Sequence, residues 1–205
     1  MIPSQNIVAW SRVVPWTDSR QVEQDLMISR ALVAIFADSE LRFRVDTALN
    51  KLHFDPPVEM PFTVKNPWFT ASAHIVTYST EELLATKLRA LLQRNKGRDL
   101  FDLSYALNIF KQLDVDRLIT LFGKYLALSE QTISQAKAQE RMFAKLANPN
   151  FLADIRPLLS AEQAALLTER SIKEAFENVF SRLICRIPGD PWLRCDEMKQ
   201  RFGIL

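Results

Sequence analysis

Residues 79–102 read STEELLATKLRALLQRNKGRDLFD and combine the pattern of a helical hairpin with a dense set of charges. Ser79 or Thr80 can cap a first helix, and leucines then recur at helical spacing as a buried stripe: Leu84, Leu88, Leu91 and Leu92. Lys96 and Gly97 break this helix, and Gly97 suits a left-handed C-terminal turn. A second helix follows, whose predicted apolar face is Leu100, Phe101, Leu103, Tyr105, Ala106 and Leu107. The stretch therefore predicts two consecutive helices joined by a short turn.

The charges of this hairpin are spaced so that they can meet. Lys87 and Arg94 are close to two helical turns apart and project from roughly the same side of the first helix. Asp99 and Asp102 share a face of the second helix. An antiparallel hairpin would bring these four side chains and Arg98 toward one cleft, which suits a phosphate-rich ligand. A salt-bridged surface is the alternative explanation of the same spacing.

Composition excludes several classes of protein. The 205 residues are 48% hydrophobic, which fits one medium domain or a domain with a helical appendage. The 26 Lys and Arg against 24 Asp and Glu leave a net charge of +2, so any site for a polyanion must be local. With only 4 Gly, the chain lacks the glycine-rich phosphate loops of dinucleotide-binding and P-loop proteins.

The remaining polar signals are weak. Cys185 and Cys195 lack CxxC spacing, and we expect reduced thiols rather than a disulfide. His53 and His74 have no acidic or cysteine partner at metal-ligand spacing, so both are interpreted as structural and no metal ligands are predicted. The N-terminus has no signal-peptide pattern and no apolar run is long enough to cross a membrane, so we expect a cytoplasmic protein.

The rest of the chain predicts an α+β fold that is mostly α. A small antiparallel sheet is expected from Met60 to Lys65 and from residues 71–79, with a turn at NPWF between them. The helices predicted outside the hairpin cover 2–14, 17 or 18 to 37, 114–128, 129 or 130 to 147, 151–159 and 160–186, the last with a capping box at Ser160 and Gln163. A short C-terminal helix is expected to dock Trp192, Leu193 and Met198. The cations of the later helices are interpreted as a solvated face: Arg117, Lys124, Lys137, Arg141 and Lys145.

Residues 81–103, EELLATKLRALLQRNKGRDLFDL, resemble the third signature of the AbiEii/AbiGii (MenT-type) nucleotidyltransferase toxins. That signature is a Lys-Leu-x-Ala-Leu helix, an Arg, and Arg-Asp-x-x-Asp. Residues 15–33, PWTDSRQVEQDLMISRALV, and residues 62–69, FTVKNPWF, are also similar to this family, so the resemblance covers most of the chain.

The resemblance implies a bacterial, cytoplasmic enzyme of a toxin–antitoxin or abortive-infection system. Such enzymes use Mg²⁺ to transfer a nucleotide from an NTP to an acceptor, in several cases the 3′ end of a tRNA, and are paired with an antitoxin. The catalytic residues it implies are Lys87, Asp99 and Asp102, and the nucleotide-binding residues are Arg94, Arg98 and Thr47. It further implies a reduced nucleotidyltransferase-like part in residues 1–78, with the sheet as its remnant, packed on a helical domain in residues 79–205.

Two features depart from the family pattern. Where the family has Gly-Gly-Thr/Ser-Ala-Leu, this chain has Val45 and Asp46 before Thr47, and valine lacks the backbone freedom of glycine. The metal-binding Asp-x-Asp does not occur between Phe54 and Phe62, and Asp114-Val115-Asp116 is better interpreted as a helix cap. We therefore predict a shortened, catalytically impaired member. The alternative is a non-enzymatic helical interaction module that binds an antitoxin or an intact paralogue.

Overall fold

The computed structural model describes residues 2–16, 18–42, 53–151 and 168–204. Thr47 with its neighbours Val45 and Asp46, the predicted helix of residues 151–159 beyond its first residue, and the predicted Ser160 capping box lie outside the described residues. The chain divides into two compact units, which separate between Ser79 and Thr80.

In its described residues, the first unit contains two helices and one hairpin of strands. Its helices are α1 (Ser4–Ser11) and α2 (Ser19–Ala37), and its strands are β1 (Val58–Lys65) and β2 (Thr70–Thr77). Helix α2 begins where predicted because the Asp18 side chain accepts a hydrogen bond from the Arg20 amide at 2.8 Å. Its inward face is Val22, Leu26, Val33 and Phe36.

The two strands pair antiparallel, as the sequence predicts. The register runs from Val58 opposite Thr77 to Lys65 opposite Thr70. Asn66 closes the turn, since its side chain accepts hydrogen bonds from the amides of Trp68 and Phe69 at 3.0 and 2.8 Å.

In its described residues, the second unit contains helices and no strands. Its elements are α3 (Thr80–Gln93), α4 (Arg98–Ile109), α5 (Val115–Ala127), α6 (Gln135–Leu146), α7 (Glu169–Arg182), a 3-10 turn (Ile184–Arg186) and α8 (Cys195–Phe202). The predicted hairpin is α3 and α4, and α3 also packs against α5. The chain is therefore α+β and mostly α, as predicted.

Local capping explains where the helices begin. Asp114 caps α5 by accepting a hydrogen bond from the Arg117 amide at 2.9 Å, as predicted. Helix α6 begins later than predicted because Glu130 adopts a positive φ of 52° and Ser134 supplies the cap. The predicted helix over residues 160–186 is wrong at Thr168, which is extended and forms a capping box with Ser171.

The core of the second unit contains the predicted leucine stripe and an aromatic cluster. The stripe residues Leu84, Leu88, Leu91 and Leu92 are all buried. Around Phe143, ring centroids lie 5.2–6.2 Å away in Phe180, Phe176, Phe202 and Trp192.

Three expectations for this unit are wrong. Tyr105 and Leu193 point to solvent instead of into the core. Gly97 has φ −66° and ψ −30°, in the right-handed region, because it is the N-cap residue of α4 and not a left-handed end of α3. Cys185 and Cys195 are free thiols, as expected from the sequence. In the described part of the chain, no helix has the length and apolar character needed to cross a membrane.

Candidate functional site

Four of the predicted site residues meet at the turn between α3 and α4. Lys87 Nζ donates to Asp102 Oδ2 at 2.6 Å and lies 3.7 Å from Asp99 Oδ1. Arg94, one residue beyond α3, donates from Nε and Nη2 to the two oxygens of Asp99, both at 2.7 Å. We call Lys87, Arg94, Asp99 and Asp102 the hairpin ion-pair cluster. Of the five charges predicted to meet, these four are in contact as ion pairs, as the alternative of a salt-bridged surface also predicts.

Burial separates the two carboxylates of the cluster. The side chain of Asp99 is 0% exposed, whereas that of Asp102 is 50% exposed. The side chains of Lys87 and Arg94 are 40% and 47% exposed. Asp99 therefore acts from the interior, where its two-point contact with the planar guanidinium fixes the direction of Arg94. The outer parts of Lys87 and Arg94 remain accessible to a ligand.

The other two predicted nucleotide-binding residues are placed differently. Arg98 is the first residue of α4, next to Asp99, and is half-buried. Thr47 belongs to the segment outside the described residues, so its prediction stays open.

Two cations that the sequence interpretation assigned to a solvated face approach the same turn from α6. Lys145 Nζ donates to the backbone carbonyl of Arg94 at 2.6 Å, and Arg141 Nη1 donates to the carbonyl of Leu92 at 3.2 Å. They satisfy carbonyl groups at the C-terminal end of α3, where cations are favoured. The pKa of Lys145 is lowered by burial and by repulsion from Arg141, and Asp99 opposes this shift.

An open cleft of about 950 Å³ lies between the end of α3 and helix α6. Its walls come from α3 and the residues after it, from the segment between α5 and α6, and from α6 itself. They are Leu92, Gln93, Asn95, Gln131, Thr132, Ile133, Arg141, Ala144, Lys145 and Asn148. Gln93 donates to Gln131 at 2.7 Å across this opening. We call it the α3–α6 cleft.

A second buried acid supports the hairpin from the other end of α3. Glu82 is fully buried and accepts a hydrogen bond from the hydroxyl of Tyr125 on α5 at 2.7 Å. Arg89 lies over the Tyr125 ring, 5.4 Å from its centroid. The sequence showed Glu82 only as an acid in a first helical turn, and its partner could be found only once the packing of α3 on α5 was known.

Among the described residues, no three His, Cys, Asp or Glu side chains are grouped so that they could hold a metal ion. The two carboxylates of the hairpin ion-pair cluster each already bind a cation. These carboxylates hold the Lys87 and Arg94 side chains in place. They do not fit a divalent metal, which requires several oxygen ligands that are free of competing positive charge.

A protein-family model matches most of the chain. Residues 18–182 match the model of a family described as nucleotidyl transferase AbiEii toxin, type IV TA system. No match is found among the curated proteins or the solved structures. The matched range spans most of the chain and includes the whole hairpin ion-pair cluster. The chain therefore belongs to the AbiEii nucleotidyl transferase toxin family.

Proposed function

We propose that this chain binds a nucleoside triphosphate at the hairpin ion-pair cluster and is impaired in transferring the nucleotide. The observation that carries this proposal is the buried Asp99, which orients Arg94 while leaving the guanidinium and Lys87 half exposed. Two oriented cations suit a triphosphate because phosphoryl transfer depends mainly on positioning and charge neutralisation.

Each member of the cluster has a distinct role in this proposal. Lys87 exchanges Asp102 for a phosphate oxygen, which costs little because a half-exposed ion pair contributes only about 0–1 kcal/mol. Arg94 is held along one edge by Asp99, and its guanidinium, on a side chain that is 47% exposed, faces the phosphates. Asp99 is a positioning residue, and Asp102 is the carboxylate of the cluster that can reach the nucleotide. Arg98 and Thr47 stay proposed nucleotide-binding residues on the resemblance alone.

The proposed impairment rests on the acidic residues that would hold the metal. The family uses a divalent metal, and we propose Mg²⁺ by resemblance. In the segment between Phe54 and Phe62, Asp55 accepts a hydrogen bond from Ser79 Oγ at 3.0 Å, and Glu59 pairs with Arg42. Neither acid forms an Asp-x-Asp pair, and Val45-Asp46 replaces the two glycines of the phosphate turn.

The family implies a nucleotide substrate and an antitoxin partner. For this chain we propose the 3′ end of a tRNA as the acceptor and the cytoplasm as the compartment, in a toxin–antitoxin or phage-defence role.

Isothermal titration calorimetry with each of the four NTPs, with and without Mg²⁺, tests the binding. We expect Lys87→Ala to remove NTP binding. The matched control is Lys137→Ala, because Lys137 also forms a 2.6 Å ion pair, with Glu140, but lies outside the cluster. Incubation with radiolabelled NTP and bulk tRNA then tests transfer. Absence of NTP binding by the unaltered chain would refute the proposal, and robust transfer would refute the impairment.

A second candidate function is a helical interaction module for an antitoxin or an intact paralogue. It is favoured by large apolar side chains exposed along the end of α4, where Tyr105 is 69%, Ile109 50% and Phe110 45% exposed. Co-purification with the adjacent gene product tests it. In this case Tyr105→Ser with Ile109→Ser should release the partner, while Lys87→Ala should not.

A further inference from the structure

The α3–α6 cleft has the chemistry of an anion site. Arg141 and Lys145 line it one helical turn apart, and the amide side chains of Gln93, Asn95 and Asn148 add further donors. Within the described residues that line the cleft there is no Asp or Glu. A surface of cations and amides without a carboxylate favours phosphate groups.

Contact with the carbonyls of α3 does not use up these cations. A guanidinium has five N–H donors and an ammonium has three. Leu92 takes one hydrogen bond from Arg141, and the carbonyl of Arg94 takes one from Lys145. The two cations, one helical turn apart, also repel each other, and this repulsion adds to burial in lowering the pKa of Lys145. A bound anion would relieve this repulsion.

The cleft and the hairpin ion-pair cluster share one residue. The side chain of Arg94 binds Asp99 in the cluster, while its backbone carbonyl accepts from Lys145 at the cleft. An anion in the cleft therefore lies beside the proposed nucleotide site. At about 950 Å³ the cleft is larger than a single phosphate requires. It is also open to solvent, so a polymer with several phosphate groups can pass through it.

We infer that the α3–α6 cleft binds the phosphodiester backbone of a single-stranded RNA, the acceptor strand, through Arg141 and Lys145. This inference rests on the proposed function for the identity of the polymer. It assigns the two substrates to neighbouring sites: the NTP to Lys87 and Arg94, and the RNA to the cleft.

Fluorescence anisotropy with a labelled oligouridine of about 12 nucleotides tests this assignment. We expect the double variant Arg141→Gln and Lys145→Gln to bind the RNA about tenfold more weakly. The slope of the logarithm of its affinity against the logarithm of the salt concentration should become shallower by about 1–2. Glutamine keeps an amide donor for the α3 carbonyls. The matched control is Lys137→Gln, which removes a cation from the same helix outside the cleft and should leave RNA affinity unchanged.

A second variant protects the test against unfolding. Ala144 is exposed, lines the cleft and makes no part of the carbonyl contacts, so Ala144→Glu adds a carboxylate without removing a hydrogen bond. We expect it to weaken RNA binding to a similar extent.

The outcomes separate this inference from the proposed function. RNA affinity that is unchanged in both cleft variants, or no RNA binding by the unaltered chain, overturns the inference. Loss of NTP binding instead of RNA binding in the cleft variants also overturns it, because the cleft would then hold the nucleotide. Failure of the proposed function is detected separately, as the absence of NTP binding by the unaltered chain.

Discussion

Replacing Asp99 by asparagine tests whether the buried carboxylate holds the hairpin together. Asparagine keeps the volume but removes the charge, and its amide group places N–H donors opposite a guanidinium that has only donors. Asp99 accepts two charge-assisted hydrogen bonds from Arg94, both at 2.7 Å, and such bonds contribute about 1.5–3 kcal/mol each. One acceptor oxygen survives, and the side chain of Arg94 is 47% exposed, so water can take up part of the loss. We therefore expect a cost of about 2–3 kcal/mol in the free energy of unfolding.

The control is Asp102→Asn, which removes the other carboxylate of the same cluster. Asp102 and Lys87 are both half exposed, so this substitution should cost about 0–1 kcal/mol. Urea denaturation, monitored by far-UV circular dichroism, measures the stability cost of both variants as a shift of the midpoint with an unchanged m-value. Because two oppositely charged partners are coupled, Asp99→Asn should cost less when Arg94 is already glutamine. Equal costs for the two asparagine variants would refute the role given to burial.

Three further predictions concern other parts of the second unit. Tyr125→Phe removes the phenol donor of the buried Glu82 and should destabilise the fold by about 1–3 kcal/mol in urea denaturation; no loss would show that this bond is dispensable. Burial raises the pKa of Cys185, so its alkylation rate, measured against pH, should reach half its maximum above the ordinary value of 9.0, and a midpoint below 9.0 would contradict this. Gly189→Ala should cost more than about 1 kcal/mol of unfolding free energy because the φ angle of Gly189 is +118°. Gly123→Ala in α5 should instead stabilise the fold by about 0.5–1 kcal/mol, because the new Cβ meets nothing within 4 Å. The reverse order of the urea denaturation midpoints would refute the reasoning.

The parts of the fold that the sequence predicts correctly are those set by neighbours in the chain. The leucine stripe of α3, the start of α2, the Asp114 cap and the turn between the two strands each depend on residues within a few positions. Gly97 shows the limit of local inference, because a glycine between two helices can end the first or begin the second. Here it is the N-cap residue of α4.

The candidate site divides in the same way. The contacts of Lys87 and Arg94 with Asp99 and Asp102 could be predicted because helical spacing and one short turn determine them. Arg141 and Lys145 could not, because they are more than 45 positions from the carbonyls they bind. Only the packing of α6 against the end of α3 brings them there, and helix packing is not encoded in spacing along one segment.

The local charge at the end of α3 explains how a nearly neutral chain can offer a site for polyanions. The net charge of the whole protein is only +2. Around this turn, however, Lys87, Arg94, Arg141 and Lys145 are set against the two carboxylates Asp99 and Asp102. The C-terminal carbonyls of α3 offset about half a charge of this excess. Because Asp99 is buried, its negative charge is directed at Arg94 from inside, and the exposed surface of the turn is more positive than the residue count indicates. The same burial that stabilises the hairpin therefore also leaves its cations facing solvent, as the proposed binding of a triphosphate and of a phosphodiester backbone requires.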